Sequence, residues 1–274
     1  MFLLPSRRSL PVCHSAINSR GIVVKSGQMQ ACIDLIRFSL EVEGSSLEDE
    51  QESQICSVLD GDLSADDAVE TIVRESSLDD NFIPSEEENG RYPSTKTLVN
   101  YFNIQERDRL RMLENQIVPF RFAEILMRPL PLKFDFETLK EIHSTLFGDL
   151  YPSAGEVRTF NASKRTSFCK PQYIGQMSQS IFSKLLSDRY LKGRERDQFI
   201  NDLAFYMGEV EALHPFADGN GRTARLFFYL LTLNAGYDVK WYEMDPDRLL
   251  EADISAIDGE YQSLVAVLSD VVVQ

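Results

Sequence analysis

The sequence predicts a mainly α-helical protein, and three observations carry that prediction. From Met29 onward, apolar residues recur at three- and four-residue spacing in segment after segment. Gly44, Gly61 and Pro215 stand where those patterns stop. One stretch alone, residues 157–173, mixes small, β-branched and aromatic residues with Pro171 and has no helical period, so it reads as a short β-hairpin or loop.

The elements follow in order. Residues 1–28 carry Met-Phe-Leu-Leu and then Arg7, Arg8 and Arg20, with no acid before Asp34. That composition is superficially like a transit peptide, but the apolar run is too short for an export signal. No fold is expected there, and a mis-assigned start with Met29 as the first residue is the alternative. Ile33, Leu35, Ile36, Leu40 and Val42 form an apolar stripe of a first helix, stopped at Gly44. Residues 47–59 read as a second helix closed by Gly61. Ser64 and Asp67 resemble a capping box for a third, running to Arg74. Residues 76–90, with Pro84 and three successive glutamates, read as a linker. A larger domain, 91–274, is then expected to hold helices over 95–102, 106–126, 136–146, 176–191, 197–213, 220–234, 246–252 and 261–273.

Charge supports that division. The 274 residues hold 28 Lys and Arg against 43 Asp and Glu, a formal net charge of −15. Residues 41–89 hold 17 acidic groups and 1 basic, so nearly all the excess lies in one early block, while residues 90–274 are close to balance. The block reads as an acidic appendage to a separate domain. A chain this acidic lacks the basic surface that non-specific nucleic-acid or anionic-membrane binding requires. The four cysteines, Cys13, Cys32, Cys56 and Cys169, show no metal-ligand spacing and read as reduced thiols of a cytoplasmic protein.

The chemistry concentrates in His214-Pro215-Phe216-Ala217-Asp218-Gly219-Asn220-Gly221-Arg222-Thr223-Ala224-Arg225, between two strong helices. Pro215 ends the first. Gly219 and Gly221 allow backbone conformations that expose successive amides, and at a helix N-terminus such amides form an anion nest. Arg222 and Arg225, three apart, share a face of the following helix. Two guanidinium groups beside a nest point to a polyphosphate. Asp218 is suited to Mg²⁺ (or Mn²⁺) bridging phosphate oxygens, and His214 is the natural general base for a hydroxyl nucleophile.

The stretch resembles the signature of Fic (Fido) proteins, HxFx(D/E)GNGRxxR, at every specified position. Tyr92-Pro93 with Thr97-Leu98, then Leu146-Phe147-Gly148-Asp149, and Tyr151 to Gly155 with Arg158 also resemble Fic sequences, so the resemblance spans about residues 91–274. It implies a helical bundle with a β-hairpin flap that transfers AMP from ATP to a target protein's Tyr, Ser or Thr hydroxyl. Carried over, His214 is the base, Phe216 anchors the loop, Asp218 binds the metal, and Gly219, Asn220 and Gly221 hold the α- and β-phosphates. Arg222 contacts the β-phosphate and Arg225 orients the γ-phosphate. Lys164, Arg165, Thr166, Ser167 and Phe168 occupy the place of the flap, which in that family pairs with the target's backbone. His143 reads as a packing residue on its helix.

A second resemblance concerns the acidic block. Ser39-Leu40-Glu41-Val42-Glu43-Gly44 resembles the Fic inhibitory-helix pattern (S/T)xxx(E/D)(G/N), and residues 29–75 resemble a VbhA-like antitoxin fused to its toxin. In that family the glutamate, here Glu43, pairs with the second arginine, here Arg225, and blocks the γ-phosphate. Ser85-x-x-Glu88-Asn89 falls one place short of the spacing. The resulting expectation is a cytoplasmic protein adenylyltransferase, autoinhibited in cis, with homo-oligomerisation left open. The alternatives are another Fic-type phosphate-group transfer, removal of AMP, or a non-catalytic toxin–antitoxin interaction module. The kinase-like death-on-curing branch ranks low because it typically carries Ala and Lys where this chain has Gly219 and Gly221.

Overall fold

The computed structural model describes residues 26–76, 90–163 and 167–273. Most of them lie in ten helices: α1 Ser26–Val42, α2 Asp49–Asp60, α3 Ala65–Glu75, α4 Arg107–Leu126, α5 Phe136–Phe147, α6 Pro171–Ser187, α7 Arg196–Leu213, α8 Asn220–Ala235, α9 Pro246–Ile257 and α10 Gln262–Val271. Two short antiparallel strands, β1 Asp238–Val239 and β2 Val272–Val273, pair Asp238 with Val273 and Val239 with Val272.

The three N-terminal helices form for the reasons the sequence offers. The Ser64 side chain accepts a hydrogen bond from the Asp67 amide and caps α3. Gly61, at φ 81°, ends α2 and turns its N–H back to the Ser57 and Val58 carbonyls. The first helix starts at Ser26, one turn before the expected boundary, because nothing in Ser26-Gly27-Gln28 forbids helix. Residues 1–25 lie outside those described, as does 77–89, which holds most of the expected linker and the Glu88 pattern.

The charge boundary is not a packing boundary. Helix α1 is apolar on nearly every side, with Met29, Cys32, Ile33, Leu35, Ile36, Phe38 and Leu40 all buried, as befits an interior helix. It packs on α2, α4, α9 and the 3₁₀ turn Trp241–Glu243, where Phe38 meets Trp241 at 5.3 Å between ring centroids. The apolar cluster runs without a break from Met29 to Val272. Polar ties reinforce it: Arg37 to Glu52, Arg121 of α4 to Asp66, and the Gln51 amide to the Asn115 carbonyl. The described N-terminal residues, 26–76, form a layer of the same core.

Helix α9 runs on to Ile257 beyond the expected 252, 272–273 is strand where helix was expected, and two further differences have a clear local cause. Residues 95–102 form no helix. Buried Asn100 takes the backbone's place as hydrogen-bonding partner: its Nδ2 donates to the Leu98 and Ile104 carbonyls and its Oδ1 accepts from the Phe102 and Ile104 amides. Helix α6 begins at Pro171, not Gln176, because proline fits the first helical position, where its missing N–H costs nothing. Of the stretch 157–173, expected as a hairpin or loop, the described residues 157–163 and 167–170 are irregular and joined by one antiparallel bridge, Ser163 to Ser167, while 171–173 open α6. Among the described residues the cysteines are free thiols, and burial pushes Cys32 up to about 12. No helix among them is long and apolar enough to cross a membrane.

Candidate active site

The site forms where α7 ends and α8 begins. His214 caps α7 in the left-handed region, φ 43° and ψ 60°. The chain turns through Pro215, Phe216, Ala217 and Asp218, and Gly219, at φ 74°, opens α8 with no side-chain cap on the first turn. A Cβ on Gly219 would lie 2.4 Å from Phe147, so only glycine fits. The Asn220 side chain closes the turn on itself: Oδ1 accepts from the Phe216 amide and Nδ2 donates to the Phe216 carbonyl, both at 2.9 Å. Asn220 thus shapes the nest with its side chain, leaving its amide in the first turn of α8. Phe216 is buried, as an anchor must be.

Buried His143 does more than pack. Its Nδ1 accepts from the Gly155 amide at 2.8 Å, which leaves the proton on Nε2 to donate to the Asp218 carbonyl at 3.0 Å. Its ring stacks on Phe216 at 3.9 Å. Burial, aided by the Arg222 charge and opposed by the Asp218 hydrogen bond, pulls the imidazole down to about 4, so it stays neutral at neutral pH. The side chain on α5 therefore holds the loop by its carbonyl and by its aromatic anchor.

Both motif arginines are buried and both meet a carboxylate. Arg222 Nη1 donates to Glu114 Oε2 of α4 at 2.7 Å, and its guanidinium lies over the Phe147 ring at 4.7 Å. Glu114 also accepts from the Tyr151 hydroxyl. Burial alone would lower Arg222, but Glu114, Glu43 and Asp218 outweigh it and hold it above its ordinary value. Arg225 Nη2 donates to Glu43 Oε1 at 2.8 Å and reaches the Ser39 carbonyl at 3.4 Å. Ser39 is buried, and its hydroxyl has no hydrogen-bond partner among the described residues, so its tie to Arg225 is through the backbone. Glu43 lies one residue past α1, where Glu43 N–H donates to the Leu40 carbonyl and Gly44 follows at φ 73°. Asp253 of α9 lies within electrostatic reach of the same guanidinium. Burial and then Glu211 push its carboxyl well above the usual carboxylate range, while Arg225 draws it down.

Asp218 is exposed, and its Oδ1 accepts from the Gly219 amide at 2.7 Å. One exposed carboxylate beside a phosphate-type nest fits a Mg²⁺ ion shared with substrate, since that ion commonly takes one or two carboxylates plus phosphate oxygens and water. The described residues contain no cluster of three or more His, Cys, Asp or Glu able to hold a metal without such help. Of the flap residues, Ser167 is exposed, Phe168 is buried against the site, and Lys164, Arg165 and Thr166 lie outside the described residues.

Sequence reasoning gave Glu114 no role. Its signal was a carboxylate on the apolar stripe of α4, where Leu110, Leu113, Ile117 and Val118 point inward. Asp253 left no comparable mark.

Comparison with known proteins points one way. The model of the Fic/DOC family matches residues 133–232. The chain is 32% identical over 177 residues to the protein adenylyltransferase VbhT of Bartonella schoenbuchensis, covering 64% of this chain but only 37% of that longer protein. It is 31% identical over 177 residues to the probable protein adenylyltransferase y4lH of Sinorhizobium fredii, covering 64% of this chain and 91% of that one. Its backbone resembles the BepC protein of Bartonella tribocorum, solved with bound AMPPNP, at a TM-score of 0.63 and 26% identity over 69% of this chain and 98% of that one. Sequence motif, loop geometry and fold agree, and this chain belongs to the Fic/DOC family.

Proposed function

We propose that this chain is a protein adenylyltransferase, moving AMP from ATP to a hydroxyl side chain of a protein target in the cytoplasm. The observation that carries the reading is one twelve-residue stretch with a histidine at the end of α7, an uncapped glycine-opened α8, and two buried arginines on that helix's first turns. The relatives named adenylyltransferases and the neighbour holding an ATP analogue support it.

In the proposed reaction the nest amides and Arg222 hold the phosphates. The target hydroxyl, its proton accepted by His214, forms a bond to the α-phosphorus. The bond between the α-phosphorus and the bridging oxygen breaks, and pyrophosphate leaves. Positioning and charge neutralisation do most of the work in such transfers. Asp218 would hold Mg²⁺, which supplies positive charge to the phosphates. The backbone beside Ser167 serves as the edge on which a target strand docks. A His214→Ala chain is expected to lose about 10²–10⁴-fold in transfer while still binding ATP. Undiminished AMP incorporation would sink the assignment.

Regulation is part of the same proposal. Glu43 occupies Arg225, the group assigned to the γ-phosphate, so ATP would enter without an in-line path to the hydroxyl. Residues 29–75 thereby act as a built-in antitoxin. With labelled ATP, Glu43→Gly is expected to raise AMP incorporation at least about tenfold, roughly 1.4 kcal/mol of barrier. No increase would mean that this contact does not restrain the enzyme.

A further inference from the structure

His214 is held in a backbone conformation that a non-glycine residue avoids. A left-handed residue costs about 1–2 kcal/mol and persists where its surroundings over-determine it. Those surroundings converge on Arg158, which is 4% exposed. Its Nε donates to the His214 carbonyl at 2.7 Å and its Nη2 reaches the Leu213 carbonyl at 3.4 Å. Its Nη1 donates to the Phe160 carbonyl at 2.6 Å, and Nη2 also to the Cys169 carbonyl. The Arg158 amide donates to the Pro215 carbonyl, and the Cys169 amide to the Ala212 carbonyl, both at 2.9 Å. One guanidinium thus joins both arms of the flap to the last carbonyls of α7, which have no partners within their helix. Lysine, a point charge without the planar fork, could not reach carbonyls in three segments at once.

The ring of His214 is held as firmly as its backbone. Phe168 lies against it at 3.6 Å between centroids, with the planes 5° apart. Phe168 is fixed in turn by the hydrogen bond its amide donates to the Ala162 carbonyl and by Cys169, its neighbour, in the grip of Arg158.

We propose that Arg158 and Phe168 are a positioning pair for His214: Arg158 sets its backbone, and Phe168, carried on the flap arm that Arg158 secures, sets its ring. The catalytic meaning rests on the adenylyltransferase reading, but the geometry does not. Neither residue exchanges a proton: Arg158 holds only backbone carbonyls, and Phe168 meets the imidazole by its ring face. Coupling between flap and base follows, because a target strand seated on the flap bears on the residue that stacks on the imidazole.

Two measurements test this separately. The chain has three histidines, so His214 can be followed by NMR after selective labelling, its signal identified by its loss in His214→Ala. The stacked Phe168 shifts that signal upfield through its ring current. Arg158→Lys is expected to move it back toward the free-histidine position and leave His143 unchanged. A His214 signal that stays put in Arg158→Lys overturns the proposal, whether or not the protein transfers AMP. In the Glu43→Gly chain, Arg158→Lys and Phe168→Leu are each expected to lower kcat at least about tenfold, with affinity for ADP within about twofold of the parent. A merely structural role would weaken ADP binding in step. If Arg158→Lys fails to fold, Phe168→Leu decides: kcat within twofold of the parent overturns the proposal. A parent chain without AMP transfer refutes the functional reading alone, and the NMR result still stands.

Discussion

The two arginines of the motif each meet a glutamate, and the two pairs are built differently. Glu114 comes from the middle of α4, its side chain is 9% exposed, and the Tyr151 hydroxyl holds its second oxygen. Glu43 comes from the turn after α1, its side chain is 32% exposed, and it meets Arg225 from the edge of the site. Glu114 is a fixture that keeps Arg222 charged and aimed. Glu43 meets its arginine from a turn, on a side chain about a third open to solvent. An ion pair in a site says little by itself; how the carboxylate is held separates a support from a removable plug.

The largest difference is expected in stability. Glu114→Ala leaves Arg222 a buried, unpaired cation beside Tyr151, a defect that costs about 3–5 kcal/mol. Glu43→Ala also takes the carboxylate from a buried arginine, but the position it vacates is partly open and admits water, so the cost is smaller, about 1–2 kcal/mol. Urea unfolding of the two variants measures both. Equal losses would erase the distinction between fixture and plug.

His143 belongs to the fixed side, and its expected effect is next in size. Its imidazole titrates near 4 in the folded chain against about 6.5 when unfolded. Between those values the unfolded state binds the extra proton, so stability falls as pH drops from 6.5 toward 4 and levels off below. That single group accounts for about 3 kcal/mol. The difference in unfolding free energy between the native chain and His143→Gln isolates it from the carboxylates. Parallel pH profiles would show that His143 is not held neutral.

How far the sequence reaches follows the same line. The loop and α8 were legible because every part lies within twelve residues, and chain order alone puts a histidine, a glycine-opened turn and two arginines together. The first three helices were legible from capping and periodicity. Residues 95–102 were misread because Asn100 satisfies the backbone from its side chain, and the helical spacing of apolar residues does not show that. The supports of the site were hidden by distance: Glu114 reaches Arg222 across 108 positions, and Arg158 reaches His214 across 56. Glu43 lies 182 positions from Arg225, yet it could be proposed because a short pattern marks it. The charge step at residue 90 pointed to an appendage, whereas the buried apolar residues of α1, α2 and α3 join the described part of that segment to the core.

The two motif glycines give the finest test, because one lies on each side of the comparison. Gly219 faces the fixture. A Cβ there would come within 2.4 and 2.5 Å of two Phe147 ring atoms, under the Arg222 guanidinium, on a backbone at φ 74°. Phe147 is fully packed and cannot retreat, so Gly219→Ala is expected to cost about 2–4 kcal/mol from strain and overlap together. Gly221 faces the plug. Its Cβ would lie 3.0 Å from Arg225 Nη1 and 3.6 Å from Glu43 Oε1. Both atoms end flexible side chains, and the backbone there is helical, where alanine is preferred to glycine. Gly221→Ala is therefore expected to change stability by less than about 1 kcal/mol. Its effect should fall on the Arg225 contact, so it should couple with Glu43→Ala in a double-mutant cycle and add independently to Glu114→Ala. Thermal unfolding of the two glycine variants and both cycles decides the matter. Coupling of Gly221→Ala to Glu114 instead of Glu43 would mean that the two arginines share one rigid network and that Glu43 is as fixed as its counterpart.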